Sequence, residues 1–243
     1  MDEQLVAQVR NLHQQGRSAK AIARTLGVGV AGVVGVLNAE VQCSVSGGGE
    51  PRCWVNSGWS RSVDLEGVSQ WAGLDLGAGD VEEARGLIAV LVASDDTHSS
   101  KARVAGFLLD VWCLGVKNAL PPELMTSTQL AEHRHAYFDA FDGHVQVPAD
   151  LARALVFGAA AYAHGLGFDP EADFAAAAVV LGEPVDPCPI RFGRDGRPFY
   201  VNGPYDDPEA VVRTLRRTVG DDGFHYAVAF SEQPRRRGLR NHR

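Results

Sequence analysis

The sequence predicts an α+β protein, with a small tri-helical head joined by a glycine-rich linker to a mixed, mainly antiparallel sheet body carrying several helices. Three observations predict it. Residues 5–37 read as three short helical segments with a tight turn between the second and third. Two apolar runs, 84–95 and 102–116, are continuous rather than alternating, which marks strands buried on both faces. Runs of strands and runs of helices are joined by hairpin signals rather than by regular strand–helix alternation.

In the head, Leu5, Val6, Val9 and Leu12 form one helical stripe, which Gly16 ends. Ser18 caps a second helix whose buried side is Ile22, Ala23 and Leu26, and Gly27-Val28 turns the chain into a third segment, Val30 to Leu37. This is the local pattern of a helix-turn-helix. Bases are read through polar side chains at the start of the third helix, yet VAGVVGVL offers Val30, Ala31, Gly32 and Gly35 there. Arg17, Lys20 and Arg24 are the groups left to touch phosphate. The head is therefore expected to contact DNA weakly, without reading its sequence, or else to serve packing, dimerisation or partner contact.

SVSGGGEP (44–51) reads as the linker, giving a head at 1–40, a linker at 41–52, a body at 53–230 and a basic tail at 231–243. CWVNSGWS (53–60) is expected to pack onto the body through its tryptophans, and 61–80 reads as loop. The polar DDTHSSK between the two strands fits a hairpin loop, and Pro121-Pro122 is expected to stop regular pairing. Helices follow from Thr128 to Phe141, from Pro148 to about His164, and from Pro170 to Leu181. Asp195-Gly196 marks a hairpin between IRF and PFYV. Asp206 or Asp207 caps a helix reaching Val219, and FHYAVAF (224–230) is a last strand.

A chain of 243 residues with 45% hydrophobic and 22% charged residues has an ordinary globular composition. No apolar run approaches the roughly 20 residues that span a bilayer, and MDEQLVAQVR does not read as a signal peptide. The four cysteines, at 43, 53, 113 and 188, show no close pairing, so the chain reads as cytoplasmic with free thiols. Cys113 and Cys188 are expected to be small buried hydrophobes in strands. Cys43 and Cys53 lie outside zinc spacings, and no cofactor motif is present. The net charge of −7 divides into +1 for residues 1–40, +4 for residues 231–243 and −12 between them, so the body repels a phosphate backbone.

Within the body, Asp110 lies inside the apolar GFLLDVWCLGV, with Lys117 and Asn118 placed to answer it. A buried acid is a metal ligand, a general base or half of a structural ion pair. An enzyme reading would gather Asp110, Lys117 and His164 as catalytic residues, with Tyr200 beside them. A helix-end cap is the competing role for His164. His133 and His135 are two apart on a helix and point apart, so they cannot share a metal. RFGRDGRPFYVNGPYDDPEA concentrates Arg191, Arg194, Arg197, Tyr200, Asn202 and Tyr205 ahead of Asp206 and Asp207. Its turn and capping chemistry account for most of it, and a phosphate-like ligand is the alternative.

CWVNSGWS, DVWCLGVKNALPPELM (110–125), FGAAAYAHGLGFDPEADF (157–174) and IRFGRDGRPFYVNGPYDDPEAVVRTLRRTVG (190–220) together resemble a family of uncharacterised bacterial proteins. The resemblance implies the same helix-turn-helix-like head on an α+β body. It carries over no catalytic residue, and a protein partner or a homodimer stays open beside DNA.

Overall fold

The computed structural model describes residues 19–29, 49–65, 86–141 and 143–227, with residues 5, 6, 8, 9, 12, 33, 36, 68, 71 and 73–75. Its centre is a five-stranded antiparallel sheet of β1 (Arg52–Asn56), β2 (Leu87–Asp95), β3 (Ala102–Asp110), β4 (Gly115–Met125) and β5 (His144–Val147), ordered β4-β3-β2-β1-β5. Helix α1 (Ala19–Leu26) precedes it. Helix α2 (Ser127–Tyr137) takes the chain from edge strand β4 to edge strand β5, and α3 (Ala149–Gly165) and α4 (Phe174–Leu181) follow.

Both faces of the sheet are covered, which explains the continuous apolar runs. On one face Val55, Ile88, Val90, Val92, Phe107 and Leu109 pack with Leu151 and Leu155 of α3 and Val180 and Leu181 of α4. On the other, Trp54, Leu91, Ala93 and Val104 pack with Leu130 and Phe138 of α2 and its flank. Each fully buried Val, Leu, Ile or Phe among them contributes about 1.5–3 kcal/mol. Helix α2 starts on a capping box: Thr126 Oγ1 accepts from Gln129 N, and Gln129 Oε1 accepts from Thr126 N at 2.9 Å.

Several expectations need correction. The run 102–116 is not one strand, because β3 ends at Asp110 and β4 begins at Gly115. Gly115 has φ +68°, and a Cβ there would stand 2.5 Å from Ala163 Cβ, so the turn and the close approach of α3 both require glycine. Pro121-Pro122 does not stop pairing. β4 runs through both prolines as an edge strand, with a register shift opposite Val104–Gly106, where a missing N–H is tolerated. Helix α4 starts at Phe174 rather than Pro170, because Glu171 N is held by Val116 O at 3.4 Å and Glu171 Oε2 accepts from Asp173 N. Helix α2 ends at Tyr137, four residues short of Phe141.

The predicted hairpin at 194–197 forms only as a turn. Arg194 and Arg197 exchange both backbone bonds (2.8 and 3.1 Å), with Asp195 at φ 54° and Gly196 at φ 75°. Its flanks then part: Arg191 bridges to Asp64, while β6 (Phe199–Val201) pairs in parallel with β7 (His225–Ala227). Helix α5 (Pro208–Val219) crosses between those strands, so one strand–helix–strand unit is present after all. Residues 228–230 of the expected last strand lie outside the described residues. Cys113 is buried in the β3–β4 turn, whereas Cys188 is exposed in a loop rather than buried in a strand. No helix among the described residues is long and apolar enough to cross a membrane.

Candidate functional site

The stretch expected to form the head, residues 1–40, is described in part. α1 closes with Gly27 at φ 67° and a bond from Val28 N to Ala23 O of 3.0 Å, the six-to-one closure of a Schellman motif. Val9, Ile22, Ala23 and Val33 are buried together, and Leu12, Leu26, Val28 and Val36 pack against them. Arg24 is exposed. Arg17, the side chain of Lys20, and Val30, Ala31, Gly32 and Gly35 of the expected third segment lie outside the described residues, as does Cys43.

Asp110 ends β3 and is 6% exposed. Its Oδ1 accepts the backbone N–H groups of Trp112 and Cys113, each at 3.0 Å, so the carboxylate organises the β3–β4 turn. Burial pushes its pKa up to about 6, against the pull of the Trp112 N–H and the Lys117 charge. The turn that it holds is tied to three other segments. Trp112 Nε1 donates to Ser62 O at 3.0 Å, Gly193 N to Val111 O at 2.9 Å, and Phe199 N to Trp112 O at 3.1 Å.

Lys117 lies in β4 at a second register shift, between the pairs Leu108–Asn118 and Leu109–Val116. A bulge re-aims a side chain out of the ladder. Lys117 Nζ reaches both oxygens of Asp206, at 2.9 and 2.8 Å, across 89 residues of sequence. Asp206 Oδ2 also accepts from Gly203 N at 2.7 Å and from Tyr200 Oη at 3.4 Å. Burial pushes the Asp206 carboxyl up, but Lys117 and the Gly203 N–H together bring it below its ordinary value. Asp207 caps α5 instead, accepting from Ala210 N at 3.1 Å.

The structure thus brings Lys117, Tyr200 and Asp206 together, with the Asp110 turn within reach of the Lys117 charge. His164 stays apart. It sits in the last turn of α3, its ring 3.3 Å from Asp169 and 77% exposed, where a cation suits the helix end. His133 stacks on Tyr137, and His144 on Phe138. Among the described residues no three His, Cys, Asp or Glu side chains converge as a metal site.

Sequence reasoning missed the Lys117–Asp206 pair, because nothing local in β4 announces a partner 89 residues away. It also missed that Arg194 lies over Trp112 and Phe199, 5.2 and 4.9 Å from the ring centroids. A Trp in one apolar run and an Arg in a distant turn carry no signal of each other. Comparison with known protein families, with curated proteins and with solved structures finds no match.

Proposed function

We propose that this chain is a cytoplasmic DNA-associated or regulatory factor of the bacterial family it resembles. Its helix-turn-helix-like head touches DNA without reading its sequence, and its acidic body binds a ligand, a protein partner or a second copy. One observation carries the reading: four residues from separated stretches, Val9, Ile22, Ala23 and Val33, are buried together beside a Schellman-closed helix. A packed three-segment head is what the sequence pattern calls for. The exposed Arg24 supports phosphate contact. The alternative, catalysis by Asp110, Lys117 and His164, draws no comparable support. Asp110 is engaged by its own turn, Lys117 by Asp206 and His164 by Asp169.

Binding of the full chain to random duplex DNA tests the proposal. Measurable binding at ~50 mM salt, weakening steeply by ~200 mM and equal across sequences, is the expected result. Changing Arg17, Lys20 and Arg24 together to Ala should weaken it uniformly. Absence of binding at ~50 mM salt overturns the DNA assignment.

A further inference from the structure

The central sheet has two edges, β4 and β5, and the chain treats them differently. β4 is guarded. Pro121 and Pro122 offer no N–H, Glu123 is exposed beside them, register shifts interrupt the ladder, and Val116 O is taken by Glu171 N. Prolines, charges and bulges are the means by which a sheet edge avoids pairing with another chain. β5 has none of these within it. Its sequence is HVQV, with no acid, lysine, arginine or proline, and it pairs with β1 without a register shift.

The outward groups of β5 follow from its register. Ser57 N donates to Gly143 O at 3.0 Å, which sets the hydrogen-bonded positions of this ladder at Gly143, Val145 and Val147. The N–H and C=O of His144 and Gln146 therefore point away from β1, where they meet no partner among the described residues. This pattern is self-complementary. A second β5, antiparallel about a two-fold axis at Val145, sets His144 of each copy opposite Gln146 of the other, and each such pair exchanges two backbone bonds. The ends of the strand also differ in charge. At its start, burial and the charges of Arg134 and His135 hold the His144 imidazole below its ordinary pKa. At its end, the exposed carboxylates of Glu50 and Asp150 share one nitrogen of Arg153 and line an open cleft of about 390 Å³ beside Gln146 and Val147. Arg52, on the same cleft, is already paired with Asp95. Antiparallel pairing sets start against end, so unlike charges face each other.

We propose that β5 is a self-association edge, through which two copies of this chain pair antiparallel and join their five-stranded sheets into one. The inference rests on the reading in which the body meets a second copy, and not on DNA contact by the head. A strand of four residues limits the backbone contact, so the association is weak and reversible. Pairing gives one particle two copies of residues 1–40, which raises the avidity of a contact that is weak in each.

Sedimentation equilibrium of the full chain without DNA, from ~1 to ~500 µM, tests it, and a reversible monomer–dimer equilibrium is the expected result. Gln146→Pro removes an outward N–H and leaves the bonds to β1 in place, so the dimer should weaken about tenfold or more. A chain that stays monomeric throughout overturns the proposal and leaves the DNA assay to judge the head. Unchanged affinity in Gln146→Pro also overturns it, since the body then pairs through another face. Should that variant fail to unfold cooperatively, amide exchange of the unmodified chain decides. The His144 and Gln146 amides should exchange about fivefold more slowly at ~500 µM than at ~1 µM, and equal rates overturn the assignment.

Discussion

Two carboxylates stand near the charge of Lys117, and the molecule treats them in opposite ways. Asp110 sits in the β3–β4 turn, 6% exposed, and spends an oxygen on two backbone N–H groups. Asp206 sits in the loop before α5 and takes the Lys117 ammonium on both oxygens. Burial dominates at Asp110, so its acid form is favoured. Pairing wins at Asp206, so its ionised form is favoured. One aspartate builds a turn, and the other joins two distant segments. Both carboxylates are engaged by groups of the fold itself.

The largest expected effect comes from breaking the turn. Asp110→Ala leaves two buried backbone donors without their acceptor and should cost about 3 kcal/mol of stability, read from urea unfolding at pH 7. Asp110→Asn keeps an acceptor oxygen and sheds the buried charge, so it should match or exceed the unmodified chain at that pH. The pH dependence sharpens the same point. An acid whose folded-state pKa lies above its unfolded value contributes fully below the unfolded value. That contribution is lost as the pH rises through the folded one. For Asp110 the loss falls between about pH 4 and about pH 6 and is on the order of 3 kcal/mol. Asp110→Asn should remove that decline. An unchanged pH profile in this variant would mean that the carboxylate is not what burial penalises.

Asp206 should give a smaller effect with the opposite pH sign. Asp206→Ala leaves Lys117, whose side chain is 19% exposed, without its partner, and should cost about 2 kcal/mol at pH 7. Because pairing lowers the Asp206 pKa, its contribution is present above the ordinary value of 3.8 and is lost as the pH falls through the lower folded value. Thermal unfolding from pH 3 to pH 7 reads the difference. The variant should lose stability relative to the unmodified chain at pH 7 and converge with it at the acidic end.

The same contrast separates what was legible in the sequence from what was not. The continuous apolar run of β2, the proline before α3, and the acid capping α5 are local signals, and each element forms close to where they place it. The β3–β4 turn was hidden, because Asp110, Trp112 and Cys113 read equally well as more of a buried strand. Only Gly115 marked the break, and its conformation follows from α3 packing over it. Pro121 and Pro122 were misleading for a related reason: whether a proline ends pairing depends on whether its strand has a neighbour on that side. The parallel pairing of β6 and β7 and the Lys117–Asp206 contact are set by tertiary placement alone. Of the residues named for a catalytic site, the fold joins Lys117 to Tyr200 only through Asp206, and leaves His164 on the surface.

The smallest effect decides which carboxylate owns Lys117. A double-mutant cycle with Lys117→Met and Asp206→Asn should give a coupling energy of about 1–2 kcal/mol, since the two groups share two charge-assisted hydrogen bonds. The parallel cycle with Lys117→Met and Asp110→Asn should give about 0.5 kcal/mol or less, because there Lys117 acts through its field. The ranking matters more than either value. If the Asp110 cycle gave the larger coupling, Lys117 and Asp110 would behave as one buried acid–base pair, and a proton-transfer role for the turn would regain its footing. With the expected ranking, Lys117 belongs to the segment that it tethers. Its task is then to hold the 202–207 loop against β4, beside the turn that Asp110 organises.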